Sequence, residues 1–299
     1  MTNSEKIRRK ALSLGFDLCG IARCRSLERQ YDRFKNWLAD GCDGGLEYLR
    51  RNTGKRFDPG ALCGGARSVI VCGVGYHRPP SAHEVASRIA SYAHSRDYHL
   101  TIRERLNELS AYLRELVPGA SGRVFTDTAP LAEKSWAVEA GLGWIGRNSL
   151  LANPRLGSFL LLGEVVTTAE LEPDAPFVRD GCGTCRACVD ACPVAAIRPD
   201  RTIDAGRCIS RRTIEAGDGD EGDLHGWLFG CDVCQRACPY NRKAPVSVHD
   251  SFAPLAELER LDVDDWLGLD EAGFRRIFGE TPLARCGLRR LQERIRRLK

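Results

Sequence analysis

Eight cysteines between Cys182 and Cys238 have the types and spacing to hold iron and sulfide. One run reads Cys182-x2-Cys185-x2-Cys188-x3-Cys192-Pro193, a second reads Cys231-x2-Cys234-x3-Cys238-Pro239, and Cys208 stands alone between them. Three thiolates spaced three residues apart in a tight loop reach three corners of a [4Fe–4S] cubane. The cysteine beside the proline projects away, toward a second cluster. That pattern assigns Cys182, Cys185, Cys188 and Cys238 to one cluster, and Cys192, Cys208, Cys231 and Cys234 to the other, with Cys208 in place of the first member of the second run. Two structural zinc sites are the alternative, since paired Cys-x2-Cys motifs also build ribbons. Ribbons seldom use three evenly spaced cysteines, and the Cys-Pro endings add nothing to one. Cys19, Cys24, Cys42, Cys63, Cys72 and Cys286 have no partner spacing and read as core or surface thiols.

Two clusters in one small module conduct single electrons, and the chain before them is long enough to house their destination. Helical periodicity is expected over 4–14 and over 27–40, where Tyr31, Phe34, Trp37 and Leu38 share a face. A long helix is expected over 97–117, with Ile102, Leu106, Leu109 and Leu113 aligned, stopped by Pro118-Gly119. Strands are expected at 68–74, 123–126 and 158–168, and a helix at 130–140 opening after its proline. These elements predict an α+β protein with three parts. Residues 1–170 form an α/β layered domain, 171–245 a ferredoxin-like module with the two clusters, and 246–299 a helical C-terminal segment. Gly141-Leu-Gly143-Trp-Ile-Gly146 matches GxGxxG literally, but a dinucleotide fingerprint follows a strand and opens a helix, and this one follows a helix.

The bulk numbers constrain the setting. Among 299 residues, 43% are apolar and 28% charged, and no run approaches the ~18 apolar residues of a membrane span. The first helix carries Glu5, Lys6, Arg8, Arg9 and Lys10 with no apolar stretch behind them, so a secretory signal is not expected and a cytoplasmic, reducing setting is. Net charge is only +4, yet Arg285, Arg289, Arg290, Arg294, Arg296, Arg297 and Lys299 crowd the C-terminal segment against Glu293 alone. Such a surface suits phosphates, or is a solvated helix face. A second basic cluster, Arg50-Arg51 with Lys55-Arg56, has no assigned role.

Several separate blocks resemble the epoxyqueuosine reductase family. They are Asp97-Tyr98-His99, Asp127-Thr-Ala-Pro130 followed by Glu133-Lys134, and Ala140-Gly-Leu-Gly-Trp-Ile-Gly146-Arg-Asn-Ser. Gly157-Ser158-Phe159 with Gly163-Glu164, Arg207-Cys-Ile-Ser210 and Phe229-Gly-Cys231-Asp232-Val-Cys234-Gln complete the set, in order from about Leu14 to Asn241. The resemblance implies reduction of epoxyqueuosine to queuosine at the wobble position of tRNA, with cobalamin in the N-terminal domain beside two [4Fe–4S] clusters. It implies Asp127 as proton donor, and Trp144, Gly146, Arg147, Asn148, Ser149, Ser210 and Asp232 near the cobalamin. Tyr98 and His99 are expected beside the cofactor or a flipped-out nucleotide. An external electron donor, no membrane and a monomer are expected as well.

From position alone Asp127 reads first as a helix cap, and the motif reverses that in favour of catalysis; to donate at neutral pH its pKa must be raised by burial against the corrin and substrate. The chain departs from the family where Arg211-Arg212 replace an aromatic residue and Leu, in the acidic, Gly-rich loop 216–225, and in lacking a helical-repeat extension. Those departures leave two rivals. One is a relative of the cobalamin-dependent reductive dehalogenases acting on another substrate, although those carry an export signal and a Tyr donor. The other is a ferredoxin-type electron carrier, which would leave the N-terminal domain without a purpose.

Overall fold

The computed structural model describes residues 1–215 and 222–298, so part of the acidic loop, 216–221, lies outside the described residues. The N-terminal part alternates helices with strands: α1 (Asn3–Ser13), β1 (Leu18–Arg23), α2 (Glu28–Ala39), α3 (Glu47–Arg50), β2 (Ser68–Gly75), α4 (Tyr98–Leu116), β3 (Gly122–Phe125), α5 (Glu133–Glu139), β4 (Trp144–Ile145), β5 (Leu151–Ala152) and β6 (Leu160–Thr167). Four strands make one sheet in the order β1-β2-β6-β3, antiparallel at every pairing. Strand β1, like the still shorter α3, β4 and β5, escapes the sequence reading; only six residues long and interrupted by Gly20, it gives little periodic signal.

Strand alternation distributes the core to both faces of the sheet. Ile70, Cys72 and Val74 of β2 pack with Ile7 and Ala11 of α1 and with Ile102, Leu106 and Leu109 of α4. Val69 and Val71 face the other way, onto Trp136 and Ala137 of α5, with Phe34 of α2 packed against that cluster. The α1 helix opens on a capping box, in which the Thr2 hydroxyl accepts from the Glu5 amide and the Glu5 carboxylate accepts from that of Thr2.

Helix α5 starts at Glu133 rather than at Pro130. Before it the chain makes tight turns: the Thr128 amide donates to the Thr126 carbonyl at 2.6 Å and the Leu131 amide to the Ala129 carbonyl at 2.8 Å. Asp127 takes the left-handed conformation (φ 53°), and Pro130 is used in that turn instead of in a helix. The glycine-rich stretch leads from the end of α5 into β4, the reverse of a dinucleotide site. Gly141 turns with φ 77°, and a Cβ on Gly143 would stand 2.1 Å from the Ala152 carbonyl, across the β4–β5 pair.

The cysteine module carries only short helices, α6 (Ala187–Ala191), α7 (Ile209–Ile214), α8 (Val233–Arg236) and α9 (Pro239–Arg242). Beyond it, α10 (Val263–Gly268), α11 (Glu271–Phe278) and α12 (Leu288–Arg296) enclose a third core, where Trp266 and Phe278 stack at 4.7 Å beside Ile89 and Phe229. This core corrects the reading of the basic tail as a uniform phosphate surface. Arg294 is 3% exposed and donates to the carbonyls of Thr213 (3.0 Å) and Leu228 (2.6 Å), so its charge ties α12 to the cluster module. Lys299 lies outside the described residues. Among the described residues no helix is long and apolar enough to cross a membrane.

Candidate active site and cluster sites

The eight cysteines fall into two groups. Cys188 is held above the usual thiol range by burial and by Cys182, Cys238 and Cys185 around it, and Cys238 in turn feels Cys182 and Cys185. On the other side burial pushes Cys231 up to about 12, with Cys208 and Cys192 adding to it, while Cys234 is raised by burial, Cys231 and Cys208. Each four-cysteine set expected from the spacing is thus brought together, including the exchange of Cys192 and Cys238 between runs. The first set lines a cavity of about 530 Å³ with Trp144, Gly146 and Tyr240. A wholly thiolate donor set round a space of that size suits an iron–sulfur cubane. One zinc ion would need its sulfurs drawn in to ~2.3 Å. The other six cysteines stay apart from both groups: Cys42, Cys63, Cys72 and Cys286 are buried, Cys19 and Cys24 half-buried.

Trp144, Gly146, Arg147 and Asn148, expected beside cobalamin, lie next to the cluster cysteines. The Trp144 indole N–H donates to Cys182 Sγ at 3.4 Å, and its ring packs edge-on to Tyr240 at 4.8 Å. The Arg147 guanidinium donates to the Gly183 carbonyl at 2.7 Å. A Cβ on Gly146 would lie 3.8 Å from Cys182 Sγ, and the Asn148 side chain hydrogen-bonds Cys234. Asp232 is committed as well. It is 1% exposed, and its Oδ2 accepts from the Ser91 amide (2.9 Å) and hydroxyl (2.6 Å). Ser210 is half-buried in the first turn of α7. Arg211 donates to the Gly44 carbonyl and Arg212 to that of Gly206, so both family departures brace the module from within.

Ser149 turns the other way. It is left-handed (φ 61°), and the Lys134 ammonium donates to its carbonyl at 2.8 Å. Asp127, the second strained position, donates its amide to Glu133 Oε1 at 2.5 Å. Left-handed residues other than glycine persist where the surroundings over-determine them, commonly at ligand clamps. Asp127 caps nothing: the N-cap of α5 is Ala132, without a side-chain bond.

The Asp127 carboxylate is half-exposed and bracketed. Tyr98 Oη donates to its Oδ2 at 2.9 Å. His99 Nε2 lies 3.3 Å from the same oxygen, close enough for a charge pair though off the line of a good hydrogen bond. His99 Nδ1 meets Asp97 Oδ1 at 2.6 Å. His99 first, and then Tyr98, hold the Asp127 carboxyl below the usual carboxylate range against the opposing effect of burial. Burial would lower His99, but Asp127 and Asp97 outweigh it and push it up to about 9. In the free site Asp127 is therefore the anion and His99 holds the proton.

Asp127 lies on the wall of a cavity of about 460 Å³, with Tyr48, Arg51, Asn52, Arg56 and Arg285 around it. Of the basic cluster at 50–56, Arg50 is taken by Asp43 at 2.6 Å, while Arg51 and Arg56 reach this wall. Arg285 arrives from the C-terminal segment and pairs with Glu215 at 2.5 Å. Nothing in the spacing announces that Arg285 joins Arg51, because more than two hundred residues separate them.

Two family models match this chain: "Epoxyqueuosine reductase QueG, DUF1730" over residues 56–128 and "4Fe-4S double cluster binding domain" over 181–241. The epoxyqueuosine reductase of Cyclobacterium marinum is 39% identical over 98% of this chain and 96% of its own. A selenomethionine-labelled epoxyqueuosine reductase crystal structure superposes with TM-score 0.89 at 27% identity, covering 97% of this chain and 79% of that one. A crystal structure of epoxyqueuosine reductase with an epoxyqueuosine-modified tRNA-Tyr stem loop gives 0.87 at 26%, with the same coverage. A reductive dehalogenase structure matches at 0.50 and 17%, a likeness of fold alone.

Proposed function

The chain belongs to the epoxyqueuosine reductase family, and we propose that it reduces epoxyqueuosine in tRNA to queuosine, with Asp127 delivering protons to the departing oxygen. The observation that carries this reading is the Asp97–His99–Asp127 chain opening into an arginine-lined cavity.

Converting the epoxide to an alkene and water takes two electrons and two protons, and both protons go to the same oxygen. The thiolate groups fit two [4Fe–4S] clusters, with Cys182, Cys185, Cys188 and Cys238 holding one and Cys192, Cys208, Cys231 and Cys234 the other. Ser149 and Ser210, with Trp144, Gly146, Arg147, Asn148 and Asp232, are the residues that would hold a cobalamin, which would carry electrons from the clusters to the substrate. When bound, these groups supply the electrons singly from an external donor.

The side chains supply the protons. Asp127 Oδ2 is oriented by the Tyr98 hydroxyl and faces His99, which leaves Oδ1 for the substrate oxygen. As charge develops on that oxygen, His99 Nε2 gives its proton to Asp127 Oδ2, rotation of the carboxyl turns that O–H to the substrate oxygen, and Asp97 steadies the imidazolium beforehand. The second proton is taken up by His99 from solvent and follows the same path, so that the oxygen leaves as water. Turnover should therefore hold through neutral pH and fall as pH rises through about 9, where His99 gives up its proton. His99→Asn should remove that descending limb from the pH–rate profile.

Arg51, Arg56 and Arg285 suit the phosphates flanking an extruded wobble nucleotide, and the half-exposed Tyr48 ring offers it a stacking face. Arg51→Ala is the clean probe, because removing Arg285 would also leave Glu215 unpaired near the acid. It should weaken tRNA binding and reduce the slope of log affinity against log salt by about 0.7, the value for one single-strand phosphate contact. With tRNA as substrate, the protein is expected to work in the cytoplasm. The direct test is anaerobic incubation of cluster- and cobalamin-loaded protein with epoxyqueuosine-tRNA and reductant, followed by mass spectrometry of the nucleosides. Loss of one oxygen is the expected result; no loss with loaded cofactors would move the case to another substrate.

A further inference from the structure

The Glu133-Lys134 pair has no part in the proton path, yet its two side chains reach the two left-handed residues of the site. Glu133 Oε1 accepts the Asp127 amide at 2.5 Å, and Lys134 Nζ donates to the Ser149 carbonyl at 2.8 Å. Both residues stand in the first turn of α5, which is rooted on the sheet by Trp136 and Ala137, each fully buried. The backbone groups of both left-handed residues are thus tied to one rigid base.

Behind Glu133 lies Glu164 of β6, level with Val71 of β2 and Phe125 of β3. It is fully buried, and neither carboxyl oxygen has a well-formed hydrogen bond. A bare carboxylate cannot be kept there without a counter-charge.

We propose that Glu133 and Lys134 form a two-sided latch on the active site: the Glu133 carboxylate holds the Asp127 loop, the Lys134 ammonium holds the Ser149 loop, and Glu164 beneath is the neutral acid that lets Glu133 carry the charge. Both latch residues are positioning residues. Burial, and then Glu133, push Glu164 well above the carboxylate range; burial and the charge of Asp127 bring Glu133 up to about 7. The groups around Glu133 are Asp127 on its loop, Glu164 on β6, Tyr98 on α4 and Lys134 beside it, with Cys72 of β2 and Cys19 of β1 further behind Glu164. Strands β4 and β5 add no titratable side chain. A carboxylate accepts the Asp127 amide more strongly than a carboxylic acid does. The Asp127 loop is therefore held above neutral pH and loosened as pH falls through about 7.

The test uses the full-length, cluster-loaded protein and reads amide hydrogen exchange across 126–131 and 147–150, corrected for intrinsic rates, together with kcat and KM. Glu133→Ala should speed exchange in 126–131 by at least about tenfold and spare 147–150; Lys134→Met should do the reverse. In Glu133→Ala, kcat should fall with KM nearly unchanged. Glu133→Gln, a neutral acceptor, should retain the loop but lose the pH dependence of its exchange. Glu164→Gln should fold normally and, with a weaker donor in place of the acid, move the midpoint of that dependence to higher pH. Unchanged exchange in both latch variants, or faster exchange spread through α5 and the sheet, would overturn the latch. An unmoved midpoint in Glu164→Gln would remove Glu164 from it. Only the effect on kcat rests on the proposed reaction, so wild type that converts no epoxyqueuosine while its loops exchange as described would defeat the substrate reading and leave the latch standing.

Discussion

Asp127→Asn should lower turnover about 10²–10⁴-fold, the usual worth of a positioned acid, with iron content and tRNA affinity unchanged. Asparagine fills the same space and still accepts from Tyr98, so the cavity keeps its shape. It cannot take a proton from His99 and pass it on. A second readout separates this from simple damage. Without the Asp127 charge, His99 loses one of the two anions that push it up to about 9, and its titration should move down toward the ordinary histidine value. Lost turnover with a lowered His99 titration establishes the relay. Lost turnover with His99 unmoved would mean that the pair at 3.3 Å does not exchange a proton in solution. Retained turnover would transfer the donor role to Tyr98, whose hydroxyl is 2.9 Å from the same oxygen.

The relay also shows where sequence reading stops. Asp127, Tyr98 and His99 are recognisable as motif residues, and a carboxyl beside a buried site is reasonably expected to be raised. Its state depends instead on which groups meet its oxygens, and His99 comes from an element twenty-eight residues earlier. Local spacing carries no such information. Periodicity placed the long elements well, because Leu106 and Leu109 repeat on a helix and Val69–Val74 alternate on a strand. It failed at β1, which is too short to show alternation, and at the start of α5, where a left-handed turn uses the proline. Arg294 misleads for another reason. Charge in a sequence reads as surface or site, whereas this one is buried and satisfied by carbonyls that only folding brings near. The cysteines were legible because a cubane fixes their spacing within a few residues of chain.

Burial gives the two clusters an order, and this leads to the other large effect. Cys185 is exposed, whereas all four cysteines of the other set are half-buried, and Cys234 is bonded to the Asn148 side chain one residue before the pinned Ser149. Electrons should therefore enter at the cluster of Cys182, Cys185, Cys188 and Cys238 and leave for the active site from the other. Cys231→Ala should abolish turnover while about four of the roughly eight irons remain, still reducible by a strong donor. The crossed ligation has its own test. Replacing Cys182, Cys185 and Cys188 together by Ala should leave one cluster, held by Cys192, Cys208, Cys231 and Cys234. Adding Cys192→Ala should then remove it, and adding Cys238→Ala instead should not. Were the runs uncrossed, the two additions would exchange their effects, with Cys238→Ala the one that strips the iron. Circular dichroism at matched temperature separates loss of a ligand from loss of the fold, because α1, α4 and the sheet they cover owe nothing to these cysteines.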